Sequence, residues 1–193
     1  MDERLTDEDK RTLLRLAREA LQCGVEGQAM PALNLQALTP ILQEDGASFV
    51  TLTIAGELRG CIGALEPYQP LAEDVREHAV AAALDDPRFR PVSPAEVDRI
   101  NIEVSRLTLP KVLEYSSPED LLEQLRPGID GVILRSGIRR ATFLPQVWKD
   151  LPDKEEFLDH LCYSKLGVAP DTWRRKHLDV FTYEVEEFGE VEL

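Results

Sequence analysis

The sequence has little cysteine, little histidine and no long apolar run, and each shortage excludes a class of protein. The 193 residues include 3 cysteines, Cys23, Cys61 and Cys162, and 3 histidines. Cysteines so few and so widely spaced predict neither a disulfide framework nor a zinc motif, and they favour a reducing compartment. No apolar run approaches the ~20 residues that span a bilayer. The acidic start, Met1 to Arg4, leads into an amphipathic helix and not into a secretory signal. We therefore expect a cytoplasmic protein with no membrane contact. The three cysteines form no plausible metal set, although His160 and Cys162, two positions apart, leave a metal site open.

Basic residues are also scarce. Lysine and arginine number 22 against 36 aspartates and glutamates, which gives a net charge of -14. Such a charge repels polyanions, so we expect no nucleic-acid partner. A small anionic ligand stays compatible with it, because charges more than ~8 Å away are screened at physiological salt.

The most distinctive motif of the chain is LRGCIG at Leu58–Gly63. It follows the strand-like run 48–54 and the turn 55–57, so it reads as the return strand of a β-hairpin. The glycines Gly60 and Gly63 leave the backbone on both sides of Cys61 open to close approach by a ligand or another segment. This pattern predicts a ligand contact centred on the motif.

Side-chain alternation along this strand predicts which residues share a face. Arg59, Cys61 and Gly63 are expected on one face, with Leu58 and Ile62 on the other, buried face. A cation beside a thiol favours the thiolate, which is the nucleophilic form of cysteine. Arg59 and Cys61 are therefore candidate catalytic residues. The alternative is that Cys61 is a small side chain packed in a tight turn.

Two further groups of polar residues are candidates. In the strand predicted over 100–108, Glu103 and Ser105 point to the same side, where Glu103 is a catalytic and Ser105 a ligand-binding candidate. The alternative is an ordinary solvated strand face. In the segment DPRF, Asp86 starts a turn before proline, and Arg88 has the geometry to bind a carboxylate through two hydrogen bonds. Both are candidate ligand contacts, or else they are structural.

No histidine has a spacing that marks a Cys-His pair, so a papain-like enzyme is not expected. Two basic clusters stand out in this acidic chain, at 135–140 and at 174–177. Clusters of this kind are usually solvated surface, and they are also able to dock an acidic partner or a phosphate. The chain has no glycine-rich phosphate loop of known spacing.

Hydrophobic periodicity and capping residues predict the order of elements. We expect helices over 6–24, 71–84 and 118–125 and one helix ending at Gly167, with a short turn at 94 and mostly loop over 25–46. Strands are expected over 48–54, 58–63, 100–108, 131–135 and 139–144, with one closing strand that carries Phe181, Tyr183 and Val185. This order predicts an α+β fold of two sheet-bearing lobes with flanking helices and a cleft between them. We expect residues 1–193 to form a single domain made of these two interlinked lobes.

The chain resembles the AMMECR-one domain family across nearly its whole length. The resemblance rests on LRGCIG together with blocks that follow it in the family's order, at 86–89, 102–105, 131–134, 141–148 and 161–167, and on Trp173. It implies an α+β fold of two lobes with a cleft, and an association with Memo-like and radical SAM proteins. It implies no established reaction and no known cofactor.

Two hypotheses of function follow from the residues and the resemblance. In the first, the protein is a binding module that holds a small molecule or a partner segment in the cleft around Arg59–Gly63 and serves in a Memo-like and radical SAM system. In the second, it is a thiol-dependent enzyme that acts on a small anionic metabolite with Cys61 as nucleophile.

Overall fold

The computed structural model of the protein describes residues 4–191, which contain helices and two separate β-sheets. The strands are β1 (Asp45–Ile54), β2 (Glu57–Gly63), β3 (Gln69–Pro70), β4 (Ile100–Leu107), β5 (Lys111–Val112), β6 (Gly131–Ser136), β7 (Arg139–Phe143), β8 (Asp179–Tyr183) and β9 (Val185–Gly189). The α-helices are α1 (Asp7–Glu26), α2 (Pro40–Gln43), α3 (Leu71–Leu84), α4 (Pro118–Gln124), α5 (Lys154–His160) and α6 (Thr172–Arg175). Short 3-10 helices cover Leu35–Ala37, Pro94–Arg99 and Pro145–Lys149, and a π-helix covers Leu161–Leu166. The predicted α+β class is confirmed.

The described chain divides into two compact units. The first unit holds the residues up to 108 and those from 186 onward, and the second holds 109–185. In the first unit the strands lie in the order β2-β1-β4-β9, with β3 also paired to β1. Helices α1 and α3 pack on each other, and α3 packs on β1 and β2. The core of this unit lies between the helices and the sheet, where Val50, Leu52, Ile102 and Val104 are fully buried.

Helix α1 starts where the sequence predicts and ends later. Thr6 caps it, because the Thr6 hydroxyl accepts a hydrogen bond from the Asp9 N–H and the Asp9 carboxylate accepts one from the Thr6 N–H. The predicted end at Gly24 is wrong. The helix runs on to Gly27, which takes the left-handed conformation with φ 67°. Gly24 lies inside the helix, where an added Cβ would come within 2.9 Å of Val80 Cγ1, so this glycine permits close packing of α1 against α3.

The second unit is built around its own sheet, in the order β5-β8-β6-β7. Its core is separate and includes Trp148 and Phe157, whose rings are stacked at 3.6 Å between centroids. The helix predicted to end at Gly167 consists of α5 and the π-helix that follows it, and Gly167 closes it with φ 69°. A π-helical turn has no hydrophobic signature of its own, so the sequence predicts only a helix.

The predicted closing strand is wrong in one respect. Phe181 and Tyr183 belong to β8 of the second sheet, whereas Val185 opens β9 of the first sheet. The chain therefore changes sheets at Glu184. The alternation of apolar residues continues through this point, which is why the sequence predicts one strand.

Candidate functional site

The LRGCIG motif forms β2, the return strand of the hairpin with β1, as predicted. The two strands join at Ala55 and Gly56, which both have positive φ, as a tight two-residue turn of the primed type requires. The register shifts between Leu52 and Thr53, because Leu52 pairs with Gly60 while Thr53 pairs with Leu58. Arg59 is thus the extra residue of a β-bulge.

The bulge overturns the predicted sharing of faces. Thr51 and Thr53 lie on one face of β1, and they pair with Cys61 and Leu58, so Leu58 lies on the face of Cys61 and is 43% exposed. Leu58 was expected on the buried face with Ile62, and that expectation is wrong. A single extra residue reverses the alternation of every side chain beyond it.

Arg59 binds a carboxylate instead of pointing toward the thiol. Its Nε donates to Glu96 Oε1 at 2.8 Å, and its Nη2 donates to Glu96 Oε2 at 3.3 Å and to the Pro91 carbonyl at 3.4 Å. The guanidinium also lies 6.0 Å from the centroid of the Phe89 ring. Hydrogen bonds from Arg59, together with those from Ser93, lower the pKa of Glu96 to about 2. The bonds fasten β2 to the 3-10 helix Pro94–Arg99.

The DPRF segment covers the free edge of β2 at Cys61. The Cys61 N–H donates to Asp86 Oδ2 at 2.8 Å, and Arg88 Nη2 donates to the Cys61 carbonyl at 3.3 Å. Asp86 and Arg88 therefore supply to Cys61 the acceptor and donor that a neighbouring strand would supply. Arg88 also binds Asp86 through Nε at 3.0 Å and Nη2 at 2.7 Å. These bonds, with those from the backbone of Cys61 and Arg88, hold the pKa of the buried Asp86 carboxyl well below its usual range.

Arg88 is therefore the cation that contacts Cys61, through its backbone carbonyl. Hydrogen bonds to Asp86 are the main reason why the pKa of Arg88 is raised. The Thr51 hydroxyl lies 3.4 Å from Cys61 Sγ. The thiol is only partly buried. The structure thus places one hydroxyl at the sulfur of Cys61 and one fixed guanidinium at its carbonyl.

Glu103 and Ser105 lie on the same face of the sheet as Cys61. Glu103 is the cross-strand neighbour of Thr51, which pairs with Cys61 on its other side. Ser105 is the neighbour of Phe49, which pairs with Gly63. We call these six residues, Phe49, Thr51, Cys61, Gly63, Glu103 and Ser105, the Cys61 face. Within it Glu103 is exposed and Ser105 is 8% exposed.

The two glycines of the motif each meet a neighbouring backbone. A Cβ on Gly60 would overlap the carbonyl oxygen of Ala82 in α3. A Cβ on Gly63 would overlap the carbonyl oxygen of Ser48 and the ring of Phe49. Gly60 therefore allows close packing of β2 on the helix, and Gly63 allows the Phe49 ring to lie over the strand. The predicted close approach is made by segments of the chain itself.

One buried polar network of the first unit has no counterpart among the sequence-based predictions. Asp74, fully buried in α3, accepts a hydrogen bond from the Ser48 hydroxyl at 2.6 Å, and its Oδ2 lies 3.2 Å from His78 Nδ1. His78 Nε2 in turn lies 3.4 Å from the Tyr68 hydroxyl. The signal available in the sequence was the spacing of Asp74 and His78, which places both on one side of a helix.

No group of three or more metal-ligating side chains lies within residues 4–191 in a position to hold an ion. Likewise, no helix in that range has the length and apolar character that crossing a membrane requires.

The fold and the site define a class of protein: an α+β chain of two compact units, in which the edge strand of the first sheet carries a cysteine bonded to an Asp-Pro-Arg-Phe segment. The chain belongs to the AMMECR1 family, whose model matches residues 14–188.

Archaeal proteins are similar to it over nearly their whole length. Protein MK0488 of Methanopyrus kandleri is 41% identical over 100% of this chain and 93% of its own length. Protein MJ0810 of Methanocaldococcus jannaschii is 38% identical over 97% of this chain and 93% of its own. Among solved structures, the uncharacterized protein PH0010 of Pyrococcus horikoshii is 37% identical and superposes with a TM-score of 0.75, covering 96% of this chain and 93% of that one.

Proposed function

We propose that the protein binds a small anionic molecule on the Cys61 face, with Arg88 as the partner of the anionic group. The observation that carries this proposal is the position of Arg88. Its Nε and Nη2 are fixed by Asp86 and by the Cys61 carbonyl, whereas Nη1 has no hydrogen-bond partner among residues 4–191. The side chain is 55% exposed. A guanidinium fixed on one side and open on the other is suited to a carboxylate or phosphoryl group.

The neighbours of Arg88 provide further contacts for such a molecule. The Cys61 thiol and the Thr51 hydroxyl lie 3.4 Å apart and are both partly exposed. Glu103 and Ser105 extend the polar surface across β4. In this proposal Cys61, Gly63, Ser105 and Arg88 contact the ligand. Asp86, Gly60 and Arg59 position the strand, because their contacts are with Arg88, Ala82 and Glu96.

The experiment is a crystal soak with a library of carboxylate- and phosphate-bearing metabolites, followed by calorimetric titration of any hit. We expect density at Arg88, and a loss of affinity of about tenfold in Arg88→Gln, the effect of one charge-assisted hydrogen bond. The matched control is Arg90→Gln, because Arg90 is an exposed arginine of the same segment. Equal losses of affinity in both variants, or a ligand that binds away from the Cys61 face, would refute the proposal.

A second candidate function is a thiol-dependent enzyme that acts on a small anionic metabolite, with Cys61 as nucleophile and Glu103 as an acid or base. The guanidinium of Arg88, which is bound to the Cys61 carbonyl, favours this candidate, because a cation in the neighbourhood of a thiol stabilises the thiolate. A thiol nucleophile usually also requires a histidine as base. His78 does not fill this role, because its ring is bonded to Asp74. Turnover that disappears in Cys61→Ala would raise this candidate above simple binding.

We also propose that any reaction requires a partner protein of the Memo-like or radical SAM type, on the resemblance described above. The chain contains no cysteine cluster of the CxxxCxxC kind. The purified protein alone is then expected to show little turnover of generic ester, amide or phosphate substrates. The net charge of -14 favours a basic docking surface on the partner, so association should weaken as salt rises. Efficient turnover by the isolated chain would contradict this proposal.

A further inference from the structure

A pocket of about 380 Å³ lies in the second unit, which the proposed function does not use. Its lining residues are Ser136, Val168, Ala169, Thr172, Arg175 and Lys176. They include two cations and two hydroxyl groups, and no lining residue is acidic. In a chain with a net charge of -14 this is a local reversal of sign.

Three structural elements place these residues together. Ser136 ends β6 and pairs with Arg139 at the turn of the β6–β7 hairpin. The Arg139 guanidinium donates through Nη1 to the carbonyl of Gly167 at 2.9 Å, which fastens this hairpin to the end of the π-helix. Val168 and Ala169 follow that end, and Ala169 accepts a hydrogen bond from the Thr172 hydroxyl at 2.6 Å. Single π-helical turns occur frequently at functional sites.

The charges around the pocket are only partly neutralised. Arg175 pairs through Nη2 with Asp171, four residues earlier. The Lys176 ammonium and the Ser136 hydroxyl have no hydrogen-bond or ion-pair partner within residues 4–191. The guanidinium of Arg139 is bonded to a neutral carbonyl and keeps its full charge. Three cations thus share this region with one paired carboxylate.

We propose that this pocket binds the phosphoryl group of a small phosphorylated metabolite. Lys176, which lines the pocket, would bind the phosphoryl group, and the Ser136 hydroxyl would donate a hydrogen bond to a phosphoryl oxygen. Arg139, the cross-strand neighbour of Ser136, does not line the pocket and would add positive charge beside it. A phosphoryl group fits better than a carboxylate, because it offers three acceptor oxygens to donors that approach from the hairpin and from α6. The volume is within the range of pockets for small molecules and exceeds what a phosphate ion needs, so the rest of the metabolite has room in it.

The test is a titration of the full chain, isotope-labelled for amide NMR, with inorganic phosphate and with pyrophosphate. Sodium acetate serves as the carboxylate arm, and sodium chloride at matched ionic strength serves as the salt arm. We expect saturable shifts of the amides of Ser136, Val168, Ala169 and Lys176 with both phosphates. Pyrophosphate should bind more tightly than phosphate.

Three variants connect these shifts to the pocket. Lys176→Gln should weaken phosphate binding about tenfold, the effect expected for one charged contact. Lys176→Arg, which keeps the charge, should restore most of the affinity. Lys149→Gln is the control, since Lys149 is an exposed lysine of the same unit that does not line the pocket.

Three outcomes would overturn the proposal. Shifts that grow linearly with phosphate without saturating would mean that the pocket has no site. Equal weakening in Lys176→Gln and Lys149→Gln would mean a general charge effect. Acetate as effective as phosphate would mean that the site does not recognise a phosphoryl group.

Discussion

The two hairpins of the molecule share one architecture and differ in how they are attached to their surroundings. The β1–β2 hairpin has a bulge at Arg59 and two glycines in its return strand that meet neighbouring backbone and the Phe49 ring. The β6–β7 hairpin keeps a regular register from Val132 to Ser136, and Gly137 in its turn has nothing within 4 Å of an added Cβ. The first return strand is therefore constrained by its contacts, and the turn of the second is constrained only by its backbone conformation.

The two hairpins also differ in how deeply the ion pairs beside them are buried. Asp86 is 2% exposed and bonded to both the Arg88 side chain and the Cys61 backbone. At the second hairpin the corresponding ion pair joins Arg135 of β6 to Asp179 of the neighbouring strand β8, and it leaves both side chains about half exposed, at 50% and 54%. Removing the partner of a buried charge costs far more folding stability than removing the partner of an exposed charge. The first hairpin is thus the one in which polar residues fix the shape of a candidate site.

The largest effect is expected for Gly60→Ala. Its new Cβ would overlap the Ala82 carbonyl, and neither β2 nor α3 is able to move without disturbing the core, so we expect a loss of about 3 kcal/mol in the free energy of unfolding. Gly137→Ala is the matched change in the second hairpin. An added Cβ at Gly137 would meet open space, so the only expected cost is that of a side chain at a φ of 62°, about 1 kcal/mol in the free energy of unfolding. Urea denaturation of both variants measures the difference, and equal midpoints would show that Gly60 has no packing role.

Next in size is the loss of a buried hydroxyl. Ser48→Ala removes a hydrogen bond to the fully buried Asp74 carboxylate, with an expected cost of about 2 kcal/mol. In the second hairpin, Thr142→Val removes hydrogen bonds to the Val132 carbonyl and the Tyr183 hydroxyl, which are neutral partners. About 1 kcal/mol is expected there. If thermal unfolding ranks the two variants the other way, the carboxylate is not the group that makes Ser48 important.

The edge of β2 is tested by Asp86→Asn, with Asp179→Asn as its exposed counterpart. We expect a cost of about 1 to 2 kcal/mol at neutral pH for Asp86→Asn and less than about 0.5 kcal/mol for Asp179→Asn. The pKa of Asp86 is lower in the folded state than its ordinary value of 3.8. The carboxylate therefore stabilises the fold fully above that ordinary value, and this contribution is lost as pH falls further toward the folded pKa.

A pH series distinguishes a role of the Asp86 charge from a merely steric role of this side chain. The difference in stability between the wild type and Asp86→Asn should be constant from neutral pH down to about pH 5 and should shrink below about pH 4. A difference that is independent of pH throughout would mean that the charge of Asp86 is not what matters.

The contrast between the hairpins also explains what the sequence could predict. Helix α3 is predicted at its observed bounds, Leu71–Leu84, since its signals are local: a run of alanine and an apolar stripe after Pro70. The capping box at Ser93 is likewise observed. The regular β6–β7 hairpin is predicted to within a residue at each end.

The parts that sequence reasoning missed depend on pairing across the fold. A bulge at Arg59 arises from the register of β2 against β1, and register has no signature within β2 alone. The arginine that contacts Cys61 was expected to be Arg59, two residues away, but it is Arg88, which lies 27 positions further on and binds the Cys61 carbonyl. Proximity along a strand predicts contact only when alternation is unbroken, and here a single extra residue interrupts it.

The smallest effect on stability, and the sharpest test of the candidate site, concerns the thiols. Cys61 lies on β2 of the first hairpin, and Cys162 lies on the π-helix that packs against β7 of the second. Burial raises the pKa of the Cys162 thiol to about 11, so it should be almost unreactive in the folded protein. Cys61 is only partly buried and lies beside Arg88, so alkylation at graded pH followed by peptide mapping should label it first of the three cysteines. Arg88→Gln should slow that labelling, while Arg90→Gln should not.

Cys61→Ser is expected to change the free energy of unfolding by less than about 0.5 kcal/mol, because it keeps a small side chain at a partly exposed position. If Cys23 or Cys162 is labelled before Cys61, or if Arg88→Gln leaves the rate unchanged, the thiol is a packing residue and the nucleophile hypothesis is wrong.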